Sequence, residues 1–106
     1  ICFAHNEARI NTRDCFFAGD HRFCRATNVL TRSAYLVRRQ HIDTLRRKFR
    51  QSASGLRSGG APNQFAGDVV WKQVQHQLKW YVAQPRLAKQ RRSYSDIQGQ
   101  VVDYGV

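Results

Sequence analysis

The sequence predicts a small α+β domain in which an N-terminal β-hairpin is followed by two helices and a short C-terminal strand. Three observations predict it: a Cys/His/Phe-dense opening with Gly19-Asp20 at its centre, a 3.6-residue apolar stripe beginning at Tyr35, and a second apolar stretch after Asp68. With 106 residues the chain has room for one core, because a domain near this size buries roughly two thirds of its unfolded surface. The single unit 1–106 divides into a Cys/His-rich hairpin unit (1–30), a basic amphipathic helix (31–53), a Gly/Ser-rich loop (54–67), a second helix (68–84), and a basic tail with a short strand (85–106).

The segment 1–30 carries all 3 cysteines, together with Phe3, Phe16, Phe17, Phe23, His5 and His21. From Cys15 to Cys24 it reads as two strands joined at Gly19-Asp20, with glycine leading a type II′ turn. Counting outward from that turn opposes Ala18 to His21, Phe17 to Arg22, Phe16 to Phe23 and Cys15 to Cys24. The last is a non-hydrogen-bonded pair, whose Cα atoms approach to roughly 4.5 Å, close enough for a Cys15–Cys24 disulfide. The alternative is a structural zinc site, since Cys2-x2-His5 and His21-x2-Cys24 have ligand-like spacing. Cys24 cannot serve both. The register favours the disulfide, which leaves Cys2 odd, free or bonded to a partner chain.

From Thr31 to Ala53 the residues Tyr35, Ile42, Leu45, Phe49 and Ala53 share one helical stripe, with Thr31 or Ser33 as cap. Arg38, Arg39, Arg46, Arg47, Lys48 and Arg50 surround it, so the helix is expected to turn an apolar seam inward and cations outward. The Gly/Ser stretch that follows reads as a mobile loop. Gly55, Gly59 and Gly60 lack the Gly-Lys-Ser/Thr ending of a phosphate-binding loop. After Asp68, the residues Val70, Val74, Leu78, Tyr81 and Val82 form a helical face, although Val74, His76, Leu78, Trp80 and Val82 also alternate as in a strand. Length and the Gln/Lys content favour helix. Arg86, Lys89, Arg91 and Arg92 form a second basic run, and Val101 to Tyr104 a closing strand.

Charge sets the functional expectation. Eighteen basic residues face 7 acidic ones for a net charge of +11, and fourteen of the basic residues are Arg. Guanidinium groups present planar donor forks that suit phosphate and stack on bases. The expected partner is therefore a nucleic acid. RNA is favoured, because Arg planes and exposed rings engage splayed bases. The candidate contacts are Arg38, Arg39, Arg46, Arg47, Lys48, Arg50, Arg86, Lys89, Arg91 and Arg92. Trp80, which lies off the helical stripe, is the candidate stacking ring. A ribonucleoprotein component fits this pattern.

The alternative is a secreted or delivered cationic toxin, namely a small metal-independent ribonuclease. His76 and His41 are its candidate acid–base residues. A membrane-active or acidic-glycan-binding protein is a third reading. Carboxylates are too few for a paired-acid site, with Glu7 the sole glutamate, and no cofactor motif is present. No apolar run approaches the ~18 residues of a membrane span. Beginning at Ile1 and lacking Met, the chain reads as a processed product or an excised domain, with secretion and organellar import both open.

Overall fold

A computed structural model describes residues 1–6, 8–30 and 32–103. Thr31 and Tyr104, given roles above as cap and strand residue, lie outside the described residues. The architecture is α+β. Its first element is a hairpin of β1 (Arg9–Ala18) and β2 (His21–Thr27), closed at Gly19 with φ of +58°, the positive value that the turn reserves for glycine. The register is the expected one: Ala18 opposes His21, Phe17 Arg22, Phe16 Phe23 and Cys15 Cys24. The two sulfurs are joined across a Cα separation of 4.0 Å. Beyond Cys15 the register shifts, so that Asn11 opposes Arg25 and residues 12–14 form a bulge.

The long helix is α1 (Ile42–Arg57), preceded by a 3-10 turn at Arg39–His41. It begins later than the sequence stripe predicts, because the residues before it pair with the start of the chain. Phe3 N–H donates to the Ala34 carbonyl, and Leu36 N–H to that of Ile1. Cys2 bridges antiparallel to Tyr35 on one side and parallel to Val82 on the other. Tyr35 thus keeps its inward position, but on extended backbone. Ser33 caps nothing there.

The expected mobile loop is instead packed. α1 runs through Gly55 to Arg57, and α2 (Pro62–Phe65) brings the Phe65 ring flat against Gly55 and Gly60, where any Cβ would strike it. This reverses the usual helix preference. Exposed Gly→Ala in a helix gains about 1 kcal/mol, whereas overpacking costs about 1–3 kcal/mol. Gly55→Ala is therefore expected to lower the urea midpoint, and adding Phe65→Ala to relieve the clash. A stabilised single variant would show that the ring does not occupy that site.

The second helix is short. α3 (Gly67–Val70) continues as a 3-10 turn over Trp71–Val74, and β3 (Tyr81–Ala83) then joins the sheet in the order β1-β2-β3. The alternating reading therefore holds for the last part of 68–84. Val82 opposes Cys24 and Tyr81 opposes Arg25, which gives the free edge of β2 its hydrogen-bond partner. A cis Gln84–Pro85 peptide follows. The tail forms a separate hairpin of β4 (Ser93–Ser95) and β5 (Gln100–Val102), so the closing strand exists and pairs with a strand the sequence did not announce.

Trp71 anchors the core. Fully buried, it meets Trp80 edge-on at 5.0 Å and Tyr35 at 5.3 Å, within a cluster that includes Cys2, Ala26, Val29, Leu45, Val74 and Val82. Its indole N–H donates to the Val29 carbonyl at 2.9 Å. Gln75, also fully buried, donates to that carbonyl and accepts from Val29 N–H, each at 2.8 Å. The backbone polar groups at Val29 are thus satisfied by side chains, as burial requires.

Candidate functional site

Strand alternation sends Cys24, Val82 and Cys2 into the core, and Phe16, Phe23 and Tyr81 to the opposite face. There Phe16 stacks on Phe23 at 5.3 Å and meets Tyr81 edge-on at 5.1 Å. The Tyr81 hydroxyl donates to Asp14 Oδ1 in the bulge at 3.2 Å. Phe16 remains 39% exposed and Tyr35 38%, each held by neighbouring rings along part of its surface.

Phe16, Tyr35, Trp80 and Tyr81 line a cleft of about 900 Å³, together with Leu36, Leu78, Arg38, His41 and Lys79. A shallower groove of about 460 Å³ runs along α1, lined by Ile42, Phe49 and Ala53 together with Arg46 and Arg50. Cleft and groove share Tyr35, Val37 and Leu45. Among the described residues, no aspartate or glutamate lines either recess. The groove exists because α1 buries Leu45 and the small Ser52, leaving Ile42 48% exposed and Ala53 exposed. The seam that the sequence turned wholly inward is open along one side.

No family model, curated protein or solved structure matches the chain. The chemistry of the recess therefore has to be read from its own residues. Apolar rings flanked by cations suit a ligand that is planar in parts and anionic in others. Arg46 is bridged to Asp43 at 2.9 Å, but both side chains are largely exposed, and such a pair is weak and readily exchanged for another anion.

The expected cationic residues divide. Arg38 lines the cleft, and Arg46 and Arg50 line the groove. Arg39 sits in the 3-10 turn and Arg47 bonds Thr44 Oγ1 at 3.3 Å, neither of them lining a recess. Lys48 is drawn to Gln73 Oε1 at 2.7 Å and to Gln51 Oε1 at 3.3 Å. The run from Arg86 to Arg92 lies apart from both recesses. Leu87 and Ala88 N–H bond the Phe3 carbonyl, and Arg86 donates to the His5 carbonyl at 3.2 Å. Lys89, Arg91 and Arg92 are exposed there. Of the two histidine candidates, His41 lines the cleft while His76 is exposed on the 75–79 turn, outside it.

Three of the expected groups are placed as follows. Trp80, expected as an exposed stacking ring, is 7% exposed and belongs to the core. It still forms part of the cleft wall, between the more exposed Lys79 and Tyr81. The zinc set does not assemble: Cys24 is in the disulfide, and no group of three or more metal-ligating side chains forms among the described residues. Within that set, His5 is buried with its Nε2 at 3.0 Å from the Ala83 carbonyl, and burial lowers its pKa below the ordinary histidine value. Cys2 is a free cysteine, 1% exposed. Burial pushes its thiol pKa up, opposed by the nearby ammonium of Ile1 and the Trp80 indole. It is a core thiol rather than a reactive one.

No helix among the described residues is long and apolar enough to cross a membrane. The cleft also brings in Phe16, Tyr35, Lys79 and Tyr81, none of which is among the candidate contacts; Lys79 and Tyr81 flank the candidate Trp80 in the sequence.

Proposed function

We propose that the protein binds nucleic acid, RNA in preference to DNA, through the cleft and the groove beside it. The observation that carries this reading is the lining: Phe16, Tyr35 and Tyr81 rings beside Arg38, Lys79, Arg46 and Arg50, with no carboxylate among the lining residues. Cations there neutralise phosphates and release counterions, and rings accept bases. Gln40, Gln77 and His41 also line the cleft. The Gln40 and Gln77 amides, neutral donors and acceptors, suit a 2′-hydroxyl, which supports RNA over DNA.

The test is the salt dependence of RNA affinity, followed by fluorescence anisotropy. The double variant Arg46→Ala/Arg50→Ala is expected to flatten the log–log salt slope by about 1.4, at roughly 0.7 per lost phosphate contact on a single strand. Affinity at low salt should fall by about tenfold per arginine. Arg47→Ala, on the same helix but outside the groove, should change both far less. Binding insensitive to salt, or equally reduced by Arg47→Ala, contradicts the assignment.

A second reading has one observation in its favour, the position of His41 in the cleft. A histidine beside cations can deprotonate the RNA 2′-hydroxyl, whose oxygen then bonds to the adjacent phosphorus while the P–O5′ bond breaks and the 5′-oxygen leaves with a proton, all without a metal. RNA recovered intact from prolonged incubation with the protein in chelator speaks for binding alone.

A further inference from the structure

Building on the cleft as an RNA site, we infer that its ligand is an unpaired strand, threaded from Phe16 and Tyr81 past Tyr35 to the Arg46/Arg50 end of α1. The argument begins with shape. Rings and cations line the same recesses. A duplex resting there presents phosphates to the arginines but keeps its base faces stacked internally, out of reach of the rings. An unpaired strand satisfies both sets, because its bases splay away from its backbone.

Continuity gives the path. The cleft and the groove share Tyr35, Val37 and Leu45, so a chain leaving one enters the other at the Tyr35 ring. That ring is prepared for the task, since it meets Trp71 edge-on at 5.3 Å and yet keeps 38% of the residue open. A platform held from beneath loses little side-chain freedom when a base settles on it. Phe16, braced between Phe23 and Tyr81, is the second platform. Arg38, Lys79, Arg46 and Arg50 supply four phosphate contacts. At roughly 0.7 each on single strands, the salt slope is near −3.

The experiment compares three probes by anisotropy: an unstructured RNA on the order of ten nucleotides, in the single-strand site-size range, the same RNA annealed to its complement, and a single-stranded DNA of that sequence. Each is titrated with the wild type and with Tyr35→Leu, which retains apolar contact with Trp71, after thermal melts show the variant folded. Phe16→Leu serves as the second ring variant. The expected result is that unpaired RNA binds at least about tenfold tighter than duplex, and that either ring variant weakens it by roughly tenfold to a hundredfold with the salt slope unchanged. If duplex binds as tightly as single strand and both ring variants are neutral, the unpaired-strand inference is overturned while RNA binding stands. If no probe binds at low salt, both fall. Equal affinity for the DNA strand supports the threaded path and overturns only the RNA preference.

Discussion

Trp71→Ala is expected to remove about 3–5 kcal/mol of stability, the range for deleting a large buried aromatic side chain. Three effects coincide there. The substitution opens a cavity beneath Trp80, Tyr35 and Phe49, all of which contact the Trp71 ring. It deprives the Val29 carbonyl of one of its two donors, leaving Gln75 alone. It also removes the support under Tyr35 at the junction of cleft and groove. Against a total stability of roughly 5–15 kcal/mol for a domain of this kind, the loss is a large fraction, and at the lower end of that range it leaves a substantial unfolded population at 25 °C. Trp71→Phe keeps an aromatic ring but not the N–H, and should retain most of the stability. Urea unfolding followed by circular dichroism measures both. A midpoint for Trp71→Ala near that of the wild type would show that this side chain does not anchor the core.

The second large effect concerns the hairpin. Cys15 and Cys24 are separated by 9 positions, and cross-linking a loop of that length restricts the unfolded chain by about 2–3 kcal/mol. The variant Cys15→Ser/Cys24→Ala, which places the apolar residue at the fully buried position 24, is expected to lose that amount. The wild type under reductant should give nearly the same unfolding curve. Loosening this pair also frees Phe16, the neighbour of Cys15 in β1, so affinity for an unpaired strand should decline before the fold does. A wild-type curve unmoved by reductant would mean that the bond contributes nothing.

How much of this was legible depends on whether the deciding contact was local. The hairpin register was legible because a two-residue turn leaves one pairing, and Cys15 opposite Cys24 follows from counting. The body of α1 was legible from Ile42, Leu45 and Phe49. Its start was not: Tyr35 satisfies the helical stripe and the strand equally well, and Cys2, far away in sequence, decides for the strand. Tyr81 to Ala83 were ambiguous for the same reason, with β2 supplying the missing edge. The glycines around Gly55 read as loop because the ring that fills their space, Phe65, belongs to a one-turn helix too short to show periodicity. At the recess, Arg38, Arg46 and Arg50 were visible as cations. The rings were not, because which aromatic faces outward depends on strand phase, and the phase inverts Trp80 and Tyr81.

The placement of residues 1–3 between β3 and the 34–36 segment bears on the order of events in folding. The stapled hairpin can close from neighbouring residues, but the adjoining strand of the same layer is defined by contacts such as His5 with Ala83, 78 positions apart. Pairings of that span are slow to find, since the intervening chain must first surrender its freedom. During vectorial synthesis the opening residues must therefore wait, with the Cys2 side chain and the free edge of β2 uncovered, until the stretch around Val82 emerges to receive them.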